Sequence, residues 1–351
     1  MRIGIDARLW NETGVGRYIR MLFKYLPKDQ ELVWFFGQKE FQTIEMPKNW
    51  KKVRCDTHWH TLAEQLVLPF IFLRENLDLL HFPYFTFPIL YPKKFVITIH
   101  DLIYDHYKTG KGSTLVLPLF WIKKLGYILV NIISVHRTEA IFTLSNNAKK
   151  EIVSHYQADP NKVFPIYESG VLEDVPQLGP TLTKKPYLLY VGNAHPHKNV
   201  DNLIKAAEIL KMKLVLVGND KFFYSRLSKS KYVEVVGEVP NTQIADWYRH
   251  AAAFVSASKM EGFGIPPLEA MSVGCPVILS DIPVFHEING NAAVYFDQNN
   301  PQDMAKVILN TLSDKKLLAD MVKKGYQQAA KYSWGRMVKE TAKVYESCLG
   351  L

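Results

Sequence analysis

Cysteine is scarce: Cys55, Cys275 and Cys348 are the only three in 351 residues. Odd in number and far apart, they exclude a disulfide framework and lack the paired spacing of a zinc site, so a reducing compartment is implied. Long clean apolar runs are missing too. The longest stretch, residues 115–133, is broken by Pro118, Lys123, Lys124 and Gly126 and falls short of a membrane span. The N-terminus, Met-Arg-Ile-Gly-Ile-Asp, runs straight into a strand pattern without the apolar core of a signal peptide. A cytoplasmic location is therefore expected. Low-complexity tracts and internal repeats are also lacking. There is no acidic excess, because 43 Lys and Arg against 34 Asp and Glu give a formal charge of +9. Residues 1–170 carry +6 of it and residues 171–351 carry +3. No segment is basic enough for nucleic-acid binding. The basic, aromatic stretches at residues 50–54 and 120–124 are candidates for contact with anionic lipid headgroups at a peripheral membrane surface.

What is present belongs to a globular α/β protein with 48% hydrophobic and 22% charged residues, long enough for two domains. Apolar strand patterns at residues 2–6, 32–36, 77–81, 95–100 and 140–144 alternate with helix patterns. Residues 171–186, with three prolines, Gly179 and two lysines, read as a linker. A second series of strands follows at residues 187–192, 213–218, 233–237, 253–256 and 277–280. Two Rossmann-like domains are expected, facing a central cleft with ligand at the carboxyl ends of their strands. Their bounds are 1–172 and 173–334.

The chemistry concentrates in Glu261-Gly-Phe-Gly-Ile-Pro-Pro-Leu-Glu269, two carboxylates with seven residues between them. The Gly-Phe-Gly turn followed by Pro266 and Pro267 predicts a helix that starts here. Its unpaired amides and partial positive charge make an anion site suited to a diphosphate. The flanking carboxylates would repel that diphosphate, so they are expected to hold sugar and ribose hydroxyls instead. This stretch resembles the E-x7-E signature of retaining GT-B glycosyltransferases, specifically the bacterial family 4 that includes mannosyltransferases of surface-polysaccharide assembly. The likeness continues through residues 274–281 and 287–293 and covers nearly the whole chain, from Ile3 to about Tyr345.

The resemblance implies roles residue by residue. Gly14 and Gly16 of Thr13-Gly-Val-Gly-Arg17 would approach the donor phosphate, and Gly14, Val15 and Arg17 the acceptor. His100 and Asp101, ending an apolar strand, would lie at the transferred sugar. In Gly192-Asn-Ala-His-Pro-His-Lys198, the lysine would neutralise the departing diphosphate, with Asn193 and His197 beside it. Many members pair that lysine with an arginine that this chain lacks, and a protonated His197 is one substitute. Val239 would face the nucleobase; Gly262, Phe263, Gly264 and Ile265 would line the diphosphate. Glu261 would position the donor hexose and Glu269 the ribose. A terminal helix at about 335–351 would cross back to the first domain.

The implied reaction is metal-independent hexosyl transfer with retention, without a cofactor, from a nucleotide sugar to a saccharide acceptor. GDP-mannose is the favoured donor. The acceptor is expected in bacterial O-antigen, lipopolysaccharide or exopolysaccharide assembly, lipid-linked or otherwise close to the membrane. The alternatives are a UDP-sugar transferase, a GT-B epimerase and a silent module that binds glycan or a partner enzyme.

Overall fold

The computed structural model describes residues 1–85, 87–106, 117–172 and 186–351. The chain divides into two compact units, Met1–Tyr167 with Trp334–Leu351, and Glu168–Ser333. Most of the linker reading, residues 173–185, lies outside the described residues.

The first unit runs β1 (Arg2–Asp6), α1 (Thr13–Tyr25), β2 (Glu31–Phe36), α2 (Gln38–Thr43), β3 (Trp50–Arg54), α3 (Leu62–Leu73), β4 (Leu79–Phe82), β5 (Phe95–Ile99), α4 (Ile103–His106), α5 (Leu117–Arg137), β6 (Ala140–Thr143), α6 (Asn146–Tyr156) and β7 (Val163–Pro165). Among the described residues these strands form one parallel sheet in the order β3-β2-β1-β4-β5-β6-β7. The inner strands are covered on both faces, which is why they read as unbroken apolar runs. On one face Leu68 and Phe72 of α3, Val135 of α5 and Ile152 of α6 join a single core with Phe35, Ile97 and Ile141 of the sheet.

The second unit runs β8 (Tyr187–Val191), α7 (Val200–Leu210), β9 (Lys213–Val217), α8 (Lys221–Tyr224), β10 (Val233–Gly237), α9 (Asn241–His250), β11 (Ala253–Ser256), α10 (Ile265–Ser272), β12 (Val277–Ser280), α11 (Pro283–Asn289), β13 (Ala293–Phe296), α12 (Pro301–Ser313) and α13 (Lys315–Ala329). Its parallel sheet has the order β10-β9-β8-β11-β12-β13. Strand order reverses at β8/β11, and at β1/β4 in the first sheet. Such switch points open a crevice at the carboxyl edge, because the connections on either side leave in opposite directions. The last helix, α14 (Trp334–Leu349), belongs to the first unit. There the Arg17 guanidinium lies 5.4 Å over the Trp334 ring.

Two expectations change. Residues 50–54 form the edge strand β3 rather than a lipid-facing patch. Trp50 is buried and stacks on Trp34, Lys51 pairs with Glu75 at 2.7 Å, and the Lys52 ammonium donates to the Ile44 carbonyl at 2.9 Å. Short strands β7 and β13, absent from the sequence reading, complete the two sheets. Among the described residues no helix is long and apolar enough to cross a membrane.

Candidate functional site

In the second unit, the segments that follow β8 and β11 flank the switch point. After β8 the chain makes a single 3-10 turn at Pro196–Lys198, and Asn199 takes a left-handed conformation (φ 56°). Its side-chain amide donates to the Ala257 carbonyl at 3.1 Å and to the Gln298 carbonyl at 2.6 Å, locking the turn against the end of β11. The Lys259 amide donates to the His197 carbonyl at 2.8 Å, which joins the two segments directly. The result is a pair that sequence places 63 positions apart: the Lys198 ammonium donates to both Glu261 carboxylate oxygens, at 2.7 and 2.8 Å. The Ser258 hydroxyl adds a third bond to Glu261 at 2.7 Å. Both charged side chains are under one-fifth exposed, so their attraction is screened less than that of a surface pair.

Glu261 leads into α10 as the spacing predicts. Gly264, the residue before the helix, has φ 95°, and a Cβ there would meet the Phe285 ring at 2.9 Å, so glycine is required on two counts. No side chain caps this helix start, and a proline occupies its first turn. Gly262 and Phe263 are buried beneath the turn, and Ile265 is half-buried. Glu269, one turn further, is 7% exposed and accepts from the Tyr248 hydroxyl at 2.8 Å. Gly170 packs under the same turn, where a Cβ would come within 2.7 Å of the Ile265 carbonyl. Tyr248, Ser258 and Gly170 supply support that the motif did not reveal. Asn193 folds over the end of β8, its side-chain oxygen accepting from the His195 amide at 3.4 Å and its carbonyl from the Tyr190 hydroxyl at 2.6 Å. Val239 follows β10, two strands from the switch point.

The surroundings of His197 oppose its protonation and so oppose a role as second cation in place of the absent arginine. Burial, with Lys198 and His195 adding like charge, pushes its pKa down to about 2.

In the first unit, His100 follows β5, and its Nε2 lies 2.9 Å from the Pro83 carbonyl at the end of β4. That carbonyl can only accept, so Nε2 carries the proton. Burial drives the His100 pKa down to about 4, so the ring is neutral with its proton on Nε2. Asp101 accepts from the Ile103 amide at 2.9 Å and so organises the first turn of α4. Gly14 is exposed with open space at its Cβ position, whereas Gly16 is buried against the Trp10 carbonyl, where a Cβ would clash at 2.4 Å. Gly16 is thus explained by packing. Gly14 and Val15 sit in the first turn of α1, and the preceding Glu12 provides no side-chain cap.

Beside this edge is a buried cluster that motif reading missed. Arg8 is bound by Asp6 at 2.7 Å and Glu64 at 2.9 Å, all three side chains being at most 6% exposed. Burial disfavours the Arg8 charge, but Asp6 and Glu64 more than offset this and hold its pKa above the ordinary value. Asp6 ends a buried strand and Arg8 lies in the turn just beyond it, which is the signal by which they could have been found.

His81, fully buried between Tyr345 and Thr98, is pushed down to about 3, by burial first and then by His100. The unfolded chain accepts these protons near pH 6.5, whereas folded His81 and His100 resist them to about 3 and 4. Acid therefore favours unfolding. The first unit should keep its full stability above pH 6.5 and lose about 1.4 kcal/mol per pH unit for each of the two histidines as pH falls toward 4. Urea unfolding at pH 7.5 and 5 measures this, and an unchanged midpoint would mean that the folded histidines take up protons as readily as the unfolded ones.

Two family models match the chain. Glycosyltransferase Family 4 covers residues 13–168 and Glycosyl transferases group 1 covers residues 176–328. The chain is 29% identical over 288 residues to the O-antigen chain mannosyltransferase RfbU of Salmonella typhimurium, covering 80% of this chain and 76% of the relative. It is 26% identical over 376 aligned positions to O-antigen chain mannosyltransferase B of Escherichia coli, covering 95% and 96%. Among solved structures, sucrose-phosphate synthase from Thermosynechococcus elongatus superposes with a TM-score of 0.81 at 16% identity, covering 100% of this chain and 99% of that one. WaaG, a glycosyltransferase involved in lipopolysaccharide biosynthesis, superposes with a TM-score of 0.73 at 16% identity, covering 98% and 99%. With its two parallel-sheet units and both halves matched, this chain belongs to the family 4, group 1 glycosyltransferases and has the GT-B fold.

Proposed function

We propose that the enzyme transfers mannose from GDP-mannose, with retention and without a metal, to a saccharide acceptor in bacterial O-antigen or lipopolysaccharide assembly. The observation that carries this reading is the Lys198–Glu261 pair at the switch point of the second sheet, beside the helix start of α10. The O-antigen mannosyltransferases among the relatives support the choice of sugar and pathway class. As the glycosidic bond stretches, negative charge grows on the departing diphosphate, and Lys198 with the α10 amides stabilises it. The diphosphate competes with Glu261 for the ammonium, which frees the Glu261 carboxylate for the hexose hydroxyls. Glu269, held by Tyr248, accepts from the ribose, and neutral His100 accepts a sugar hydroxyl. The leaving phosphate oxygen takes the acceptor proton on the same face, so no protein nucleophile is needed.

A thermal-shift panel of GDP, UDP and their sugars, each with and without EDTA, tests donor and metal together. GDP-mannose should stabilise the protein most, by about 2.7 kcal/mol at a hundred times its Kd, and EDTA should change nothing. Preference for UDP-sugars would change the donor. Stabilisation lost with EDTA and restored by manganese would reveal a metal site, and stabilisation by no nucleotide would favour a silent module. Product analysis separates transfer from epimerisation.

The acceptor is proposed to be lipid-linked and met at a membrane surface by the first unit. On the face that α3 and α5 share, α3 exposes Leu62, Leu66 and Phe70, each at least 59% accessible. Trp121, Leu125, Leu129 and Ile132 form a matching exposed stripe on α5. The basic component read at residues 120–124 is reduced, because Lys124 is buried with its ammonium 5.4 Å over the Tyr104 ring. The side chains of Phe120, Ile122 and Lys123, and residues 115–116, lie outside the described residues. Binding is therefore expected to be driven by apolar insertion and only weakly by salt-sensitive charge. Flotation with phosphatidylglycerol-rich and neutral vesicles should show binding that Phe70→Glu and Leu125→Glu abolish. No flotation at low or high salt would leave a soluble acceptor.

A further inference from the structure

The carboxyl edge of the first sheet carries a connected set of partly open rings. His60 follows β3, Tyr84 and Phe85 follow β4, His100 follows β5, and Tyr104 lies on α4 just beyond it. The ends of the neighbouring strands β4 and β5 are thus joined by the loop from β3 to α3, at the edge where ligands of parallel sheets bind. The Tyr84 and Phe85 rings lie 3.8 Å apart; His60 is 5.8 Å from Phe85 and 6.3 Å from Tyr84; Tyr84 is 6.4 Å from His100. Phe85 continues to Tyr127 at 4.9 Å, and Tyr127 to Tyr104 at 4.6 Å. Unlike the aromatic core beneath them, His60 and Tyr104 are exposed and Tyr84 and Phe85 are half-buried.

The scaffold under these rings is fixed by the capped start of α3 and a buried ion cluster. His60 adopts φ 59°, a left-handed conformation in which histidine, like asparagine and aspartate, is found more often than other non-glycine residues. It is held there because its amide donates to Glu64 at 2.8 Å, and Glu64 is itself fixed by buried Arg8. The Arg8 guanidinium also donates to the Thr57 carbonyl at 2.8 Å, pinning the loop from its other side. A buried ion cluster seldom adds net stability over apolar packing, but it sets geometry. Here the geometry it sets is the position of an exposed imidazole beside the rings that lead to His100.

We infer that these rings form a platform for one pyranose ring of the acceptor, with His60, Tyr84, Phe85 and Tyr104 as the contact residues. This rests on the glycosyl-transfer reading of the same edge and names residues of its acceptor side. The chemistry fits a sugar because the axial C–H bonds of a pyranose form an apolar face with slight positive polarity, and an aromatic face is its negative complement. Tyrosine and histidine add polar tips for the hydroxyl rim. Stacking fixes the plane of the acceptor, and the adjacent His100 marks the end at which the attacking hydroxyl lies.

Saturation-transfer NMR on the full-length protein tests this, with the methyl glycosides of mannose, galactose and N-acetylglucosamine as probes and sorbitol as a polyol without a ring face. Ring C–H protons of at least one glycoside should be saturated and sorbitol should not. Phe85→Leu and Tyr104→Ala should each weaken that glycoside roughly 3- to 10-fold, the factor an aromatic contact carries. Tyr104→Phe, which keeps the ring, should restore binding. Thermal shifts with GDP and UDP report folding of each variant and should be unchanged. Equal saturation in wild type and both ring-loss variants, or none in a protein that binds nucleotide, overturns the platform and leaves the transferase reading intact. Glycoside binding without any nucleotide shift would do the reverse.

Discussion

Lys198→Ala should slow glycosyl transfer by about two to three orders of magnitude, or about 2.7–4 kcal/mol of barrier, the range for removing one electrostatic stabiliser of a developing charge. The loss should fall on kcat as well as kcat/KM, because the interaction strengthens as the diphosphate departs. Folding should survive, since Glu261 keeps its Ser258 hydroxyl at 2.7 Å. No arginine stands next to this lysine in sequence, and burial opposes the protonation of His197, so the lost charge is expected to go uncompensated. Lys198→Arg should recover part of the rate by retaining the cation. Steady-state kinetics with the donor identified by the nucleotide panel measures this, and a wild-type rate for the alanine variant would remove Lys198 from the reaction.

Arg8→Met should destabilise the first unit by about 3–5 kcal/mol, because it leaves Asp6 and Glu64 as buried carboxylates without their counter-ion. The sign of its pH dependence follows. Without Arg8, burial would raise both carboxylate pKa values above those of the unfolded chain. Part of the lost stability would then return as pH falls toward 4 and disappear again as pH rises. Neutralising all three positions, Asp6→Asn and Glu64→Gln with Arg8→Met, should recover much of the loss. Denaturant unfolding with a probe in the first unit provides the measurement. A cost below about 1 kcal/mol for Arg8→Met alone would show that water reaches the cluster and screens it.

The local elements of this protein were determined by the sequence itself. Buried parallel strands must be nearly continuous apolar runs, so β1, β11 and β12 could be read to the residue. The α10 turn was legible because Gly264, Pro266 and the helix formers after them each restrict the backbone locally. The Glu261–Glu269 spacing, with the motifs around it, also carried the family. Edge strand β3 was misread because three of its five residues are basic, and its lysines resemble a solvated surface until Glu75 and the Ile44 carbonyl are placed beside them.

Only the tertiary structure decided which side chains meet and which protons they hold. Lys198 finds Glu261 because reversal of strand order brings the ends of β8 and β11 together, which no window of sequence contains. His81 meets Tyr345 across 264 positions because α14 belongs to the first unit. The same holds for charge. His197 looks like a substitute cation in sequence, but protonation depends on the sum of burial and neighbouring charges, and in the folded unit both oppose it. Backbone preferences act over a few residues and survive in the chain as written, whereas desolvation and long-range pairing exist only after the sheets have assembled.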